Sequence, residues 1–204
     1  ILYLIDYKKT NITISKAVPI ALTVVFGFCA VAMIGIMVYF SCIDTETDLG
    51  SFERIIRFND IWGTHRGFMW IRSIWIFGDA SFIEKLFGVG PDMFYSAFSP
   101  YFDDLSKYGD SSTNAAHNEY LNYLITIGIT GLLSYLAIVC GTIKNAVKYA
   151  KENPMLIACV SAVICYAVQA VVNLYQPITT PLFFIFIALC EAFVRNAKAE
   201  KSAV

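Results

Sequence analysis

The chain has 204 residues, of which 57% are hydrophobic and 15% aromatic, and its formal net charge is −1. With a mean hydropathy of +0.61, it is too apolar for an ordinary soluble domain and needs an apolar solvent. The charge balance and the absence of a basic stripe exclude a nucleic-acid binder that works through a cationic face.

Residues 1–5 form an apolar stub that runs into Asp6, Tyr7, Lys8 and Lys9. A signal peptide carries its charges first, so the stub reads as the last turns of a truncated membrane helix, and residues 1–17 as its end plus a cytoplasmic segment. The chain is therefore expected to be the C-terminal part of a longer protein. Four apolar stretches follow, at residues 18–40, 120–143, 155–172 and 178–194. A bilayer core of roughly 30 Å needs about 20 apolar residues, so each is expected to span it. The predicted fold is an all-α, polytopic membrane helix bundle with a large extracytoplasmic loop. The connection at 173–177 is short enough to make the last two spans an antiparallel hairpin.

Lysine and arginine in the short segments set the orientation. Lys8, Lys9 and Lys16 precede the first span, and Lys144, Lys148 and Lys151 fill the loop at 144–154. Arg195, Lys198 and Lys201 lie in the tail at 195–204. All three clusters fall on one side, read as cytoplasmic, which puts residues 41–119 outside. Within that loop, residues 41–61 are polar and acidic and read as irregular. A tryptophan-rich helical pattern starts at Thr64, with Phe68, Trp70, Ile71, Ile74, Trp75 and Phe77. It suits a surface helix near 64–87 lying on the outer leaflet. Phe87-Gly88-Val89-Gly90-Pro91 reads as the turn that ends it, since a lone Gly-x-Gly lacks the rest of a dinucleotide site. Residues 101–113 read as a loop.

His117 is the first candidate for chemistry. Asn114 is a reasonable N-cap, which would put His117 in the first turn of the second span. There the helix dipole favours neutral imidazole, Asp110 and Glu119 oppose it, and a neutral imidazole is a competent general base. Free backbone N–H groups of that turn would suit phosphate oxygens. At about 100° per residue, Gly128 and Gly131 share the face of His117, where they would let a neighbouring helix approach closely. A polar cap followed by ordinary small-residue packing accounts for the same residues equally well. Arg66 and Arg72 flank the tryptophans. A guanidinium fork suits two phosphate oxygens, but anchoring to lipid headgroups is the plainer account of a lone arginine. The two are about 120° apart on a straight helix, and Arg66 shares a face with Trp70. His65 reads as a solvated loop residue. Gln169 and Asn173 read as helix-to-helix hydrogen-bonding residues. The six cysteines, Cys29, Cys42, Cys140, Cys159, Cys165 and Cys190, lie mostly in apolar runs and read as small hydrophobes. Two histidines make no zinc site, while carboxylate-bound magnesium or calcium stays open.

Three elements together resemble the C-terminal half of the O-antigen ligase and O-antigen polymerase superfamily. They are Arg66-x-x-x-Trp70, Phe87-Gly88-Val89-Gly90-Pro91-Asp92-Met93-Phe94, and His117-Asn118-x9-Gly128-x-x-Gly131. The ligase pattern has leucine where Trp70 stands. The resemblance implies a glycosyltransferase of the cytoplasmic membrane that acts in cell-surface polysaccharide assembly. Its donor would be a polyprenyl-diphosphate-linked glycan and its acceptor a glycan, lipid or protein at the outer face. It further implies that Arg66 binds the diphosphate, with Arg72 a possible substitute for arginines on earlier helices. His117 would deprotonate or orient the acceptor hydroxyl, with Asn118 and Trp70 beside the substrate and Gly88, Gly90, Gly128 and Gly131 as structural motif residues. The family reaction is expected to need no metal or other cofactor. The competing reading, a transporter or flippase of lipid-linked glycan or small solutes, calls for ionisable groups near mid-membrane. No charged residue is central in any expected span, which counts against it. A purely structural membrane subunit would leave the motif combination as coincidence.

Overall fold

The computed structural model describes residues 17–202, and every regular element among them is helical. The stub at 1–5 and Lys8, Lys9 and Lys16 lie outside the described residues. The chain divides after Gly67 into two compact units.

The first unit opens with α1, Ala17–Cys42. Twenty-six residues at 1.5 Å each make a rod of about 39 Å, longer than a bilayer core. It has no polar face: Phe26 and Phe28 are 72% and 73% exposed, so α1 is apolar all round. That is the pattern of a span. The segment expected to be irregular, 41–61, is instead organised around Arg57. Its guanidinium donates to the carbonyls of Phe40 at 3.0 Å, Asp44 at 3.2 Å and Thr47 at 2.8 Å. It also grips both oxygens of Glu53, one turn back, at 2.8 and 2.9 Å. Glu53 in turn accepts from the Asn59 amide at 3.0 Å. These bonds hold the 3-10 turn Gly50–Phe52 and the one-turn helix α2, Glu53–Ile56, against the end of α1. The helix α3, Trp62–Asp79, begins irregularly: Gly63, Thr64 and His65 all have positive φ, at 58°, 61° and 67°. Gly67 is required, because a Cβ there would sit 1.9 Å from the Asn59 carbonyl oxygen.

From Phe68 onward α3 belongs to the second unit. The surface helix expected to run to residue 87 stops at Asp79 and restarts as α4, Phe82–Phe87. Ser81 causes the restart: its hydroxyl accepts from Glu84 N while the Glu84 carboxylate accepts from Ser81 N, a capping box. Next come α5, Phe94–Phe98, the 3-10 turn Ser99–Tyr101, and α6, Phe102–Ser106. Residues 101–113 are therefore not all loop. Leu105 is fully buried with Phe68, Met69, Phe94, Phe98, Ala116 and Ile125, so aromatic burial folds this segment despite Asp103 and Asp104.

The second expected span is broken. α7, Glu119–Thr126, stops, and α8, Gly128–Tyr149, begins at a glycine with φ of 70°. α9, Met155–Gln169, and α10, Thr179–Ser202, pack on α8 and on each other, which is the hairpin that the short connection required. Two buried clusters fill the trio. One holds Tyr135, Val139, Val163 and Phe183, the other Ala146, Leu156, Cys159, Val160, Cys190 and Val194. Where four spans were expected, two helices among the described residues are long and apolar enough to cross a membrane, over Ala21–Cys42 and Gly128–Tyr149. α9 is apolar but 15 residues long. It ends where Ala170 turns its carbonyl to Glu119 N, 2.9 Å away. The same ending corrects the role expected of Asn173, whose Oδ1 accepts from Leu174 N at 2.9 Å in the connecting turn. All six cysteines are free thiols.

Candidate active site

The candidate residues of the second unit converge because two backbone segments touch. Val89 N donates to Ile125 O at 2.9 Å, Gly90 N to Thr126 O at 3.0 Å, and the Thr130 hydroxyl to Leu86 O at 2.7 Å. This seats the Phe87–Pro91 turn on the α7–α8 break. Only glycine fits on either side. A Cβ on Gly88 would lie 2.3 Å from the Thr126 carbonyl, and one on Gly128 would lie 2.4 Å from the Leu86 carbonyl. Both residues also have positive φ, 79° and 70°. Gly128 thus lets a neighbouring helix, α4, approach α8 closely through Leu86, as expected of it, and the contact runs on into the turn that follows α4. A Cβ on Gly131 would meet the Ile127 side chain at 2.6 Å, and Gly90, at φ of 121°, completes the turn.

The start of α7 lies four residues later than Asn114 suggested. Asn118 is the N-cap, its Oδ1 accepting from Leu121 N at 3.0 Å. His117 precedes the helix, at a left-handed φ of 51°. The helix-dipole argument made for a first-turn histidine therefore does not carry over, and two of that turn's N–H groups are already used. Leu121 N is taken by Asn118, and Glu119 N by Ala170 O. A left-handed non-glycine residue costs about 1–3 kcal/mol and persists only where its surroundings over-determine it. Those surroundings are visible: Ala115, Ala116, Asn118 and Glu119 are all buried. Ala116 N donates to the buried Asn122 amide oxygen at 3.4 Å, and Thr113 Oγ1 donates to Ala115 O at 2.9 Å. The half-buried imidazole faces a cavity of about 480 Å³ that is also lined by Tyr95, Asp110, Ser112, Thr113 and Asn114. The polar wall suits a hydroxylated ligand, and an imidazole there can take a proton from a hydroxyl.

Glu119 is the anchor that sequence reasoning missed. It is 1% exposed, and its two oxygens accept from the hydroxyls of Tyr135 at 3.2 Å and Tyr166 at 2.9 Å. The Tyr123 ring packs beside them, its centroid 4.9 Å from that of Tyr135. The Tyr120 hydroxyl donates to Ala167 O at 2.7 Å. One acidic residue at the mouth of an apolar helix was the available signal. Its partners lie up to 47 residues away, beyond any local pattern.

The arginines are placed differently from each other. Arg72, in the second unit, lies with its guanidinium carbon 4.1 Å over the Phe68 ring and 4.8 Å over the Trp75 ring, a cation–π arrangement. Trp70 packs half-buried on the Phe68 cluster. Arg66, in the first unit, donates Nη1 to Gly63 O at 2.7 Å, and its Nε is buried without a hydrogen-bond partner among the described residues. His65 is half-buried rather than solvated. Among the described residues no group of three or more His, Cys, Asp or Glu side chains could hold a metal ion.

A family model described as O-antigen ligase matches residues 1–136, an interval that holds Arg66, the Phe87–Pro91 turn, the His117-Asn118 pair, Gly128 and Gly131. No curated protein and no solved structure matches the chain.

Proposed function

This chain belongs to the O-antigen ligase family, and on that premise we propose that it transfers a glycan from a polyprenyl diphosphate carrier to an acceptor at the outer face of the cytoplasmic membrane. Family membership implies membrane glycosyltransferase-like activity in O-antigen or polysaccharide assembly. The donor, the acceptor side and the residue roles are this proposal's own. α1 and α8 span the membrane with the α9–α10 pair packed on α8, the basic clusters at 144–154 and 195–204 are cytoplasmic, and 41–119 is outside. His117 takes the proton from, or orients, the acceptor hydroxyl in the 480 Å³ cavity. Arg66 binds the diphosphate and stabilises the charge on the departing group. A buried guanidinium N–H without a protein partner costs about 1–3 kcal/mol, which a phosphate oxygen would relieve. Diphosphate is already a good leaving group, so positioning and charge stabilisation can supply the catalysis.

The observation that carries this reading is the strained backbone of His117, held by buried neighbours at the wall of a polar cavity inside the family-matched interval. The test is a transfer assay on the full-length protein in liposomes with a polyprenyl-diphosphate glycan. His117→Ala is expected to cost about 10²–10⁴-fold, the usual worth of a general base. Arg66→Ala should lower transfer at least as much while insertion is unchanged. Full transfer by both variants would remove the assigned roles, and solute flux without covalent product would replace the transferase with a transporter.

A further inference from the structure

We propose that a second cavity of the Phe68–Val204 unit is a sugar-binding subsite, taking one pyranose ring of the glycan on which the transferase acts. The cavity, about 410 Å³, is lined by Asp92, directly after the Phe87–Pro91 turn, by Asn122, Tyr123 and Thr126 of α7, by Tyr175 of the α9–α10 connection and by Thr180 in the first turn of α10. Its volume lies in the range of ligand pockets, roughly 300–1,000 Å³. No lysine or arginine lines it, so it is built neither for a diphosphate nor for a lipid headgroup phosphate. A carboxylate, an amide, two hydroxyls and two phenols fit a polyol. Carboxylate and amide can accept from and donate to neighbouring ring hydroxyls, and tyrosine offers an apolar face for the C–H side of a sugar with a polar edge beside it.

The lining is fixed before any ligand arrives. The Tyr123 ring packs edge-on against Tyr135, centroids 4.9 Å apart, and Tyr135 is itself bonded to the buried Glu119 carboxylate. Thr180 Oγ1 accepts from Gln176 N at 2.9 Å and lies 2.7 Å from the Tyr166 hydroxyl. Tyr166 has one hydroxyl hydrogen, given to Glu119, so the Thr180 hydroxyl is the donor to Tyr166. Asp92 is held at φ of 63°. Its carboxylate receives the Tyr175 hydroxyl only at 3.5 Å, which leaves most of its accepting capacity to a ligand. Asn122 Oδ1 accepts from Ala116 N, next to His117, which leaves the amide hydrogens as what Asn122 can offer. A sugar bound through Asn122 thus bears on the loop that holds the imidazole.

The inference rests on the transferase reading, and the experiment separates the two. Full-length protein in liposomes is assayed with lipid-linked glycan extracted from the cells that carry the protein. Asp92→Asn keeps the left-handed backbone within reach, since asparagine tolerates it, and Tyr175→Ala removes the ring. Each is expected to raise KM for the lipid-linked glycan at least tenfold with kcat within threefold. Tyr175→Phe, which keeps the ring, should raise it less than Tyr175→Ala. In a His117→Ala background, where transfer is lost, saturation-transfer NMR with the oligosaccharide released from its carrier should still show binding, and Asp92→Asn with Tyr175→Ala should abolish it. Wild-type transfer with KM within twofold in both variants, or binding indifferent to them, overturns the subsite alone. A folded wild-type protein that neither transfers nor binds the glycan overturns the transferase reading, and the subsite with it.

Discussion

Gly128→Ala probes the contact on which the candidate site is assembled. The new Cβ would stand 2.4 Å from the Leu86 carbonyl carbon and oxygen and 2.6 Å from Gly88 N. All three are backbone atoms, so no side chain can swing away. The φ of 70° adds strain of about 1–2 kcal/mol for any L side chain. Forcing the turn off its seat adds about 1–3 kcal/mol of overpacking. Moving it also endangers the bonds from Val89 N, Gly90 N and the Thr130 hydroxyl, each worth about 1 kcal/mol. The expected loss is about 3–6 kcal/mol, a fall in apparent Tm on the order of 10 °C for a unit of this size. Gly141→Ala is the internal control: it lies in the same helix with nothing within 4 Å of the added Cβ, and replacing a helical glycine should stabilise by up to about 1 kcal/mol. Thermal unfolding of the two variants in one detergent decides the matter. Equal midpoints for Gly128→Ala and wild type would mean that the turn does not sit on the α7–α8 break.

The buried carboxylate makes Glu119→Ala more harmful than Glu119→Gln: alanine strands the Tyr135 and Tyr166 hydroxyls, at about 1–3 kcal/mol for each unsatisfied group, whereas glutamine still offers an acceptor. Chemical-denaturation midpoints of the two variants should separate in that order. Arg57→Lys should loosen residues 44–58 almost as much as Arg57→Ala, because an ammonium cannot reproduce the fork to Glu53 together with three carbonyls; limited proteolysis of that segment reads it, and resistance equal to wild type would refute it. The Ser81 hydroxyl and then the Ser81 N–H hold the Glu84 carboxyl below its ordinary value of 4.5. A depressed folded-state value gives stability that is present above pH 4.5 and lost as the pH falls through the lower folded value. Amide exchange across 82–87, corrected for its intrinsic pH dependence, should therefore rise as the pH falls below 4.5, and Ser81→Ala should remove most of that dependence.

Long apolar runs were legible in the sequence, and so was the tight connection between the last two helices. α1 follows from charge-free length and the α9–α10 hairpin from the short turn, while the break that starts α8 at Gly128 does not. The N-cap was not legible, because Asn114 and Asn118 are equally good candidates by type. What decides between them is the bond from Glu119 N to Ala170 O, a partner some fifty residues away. α6 was hidden for a different reason. Asp103 and Asp104 mark the segment as polar, while the buried Leu105 and the Tyr108 ring, 5.4 Å from that of Phe68, carry its packing. Gly128 was legible as a place of close helix approach, which α4 makes through Leu86, but not as a left-handed break, since periodicity assigns a residue to a face and says nothing about the sign of φ.

The backbone angles join these failures into one pattern. In the second unit the described residues with left-handed φ are Gly88, Gly90, Asp92, Gly109, His117 and Gly128. All but Gly109 fall inside the two motif segments, 87–94 and 117–131, and in the first unit Gly63, Thr64 and His65 run directly into Arg66. Each non-glycine member costs free energy that a helix former at the same position would avoid, so a fold selected only for stability would not gather them there. Where local propensity and observed conformation disagree, function is the usual reason. Asp92 carries that logic beyond the residues of the transfer step. It holds a costly conformation at the edge of a cavity remote in sequence from Tyr175, its hydrogen-bond partner, and a carboxylate held there at such a cost is best explained by something outside the protein that it must meet.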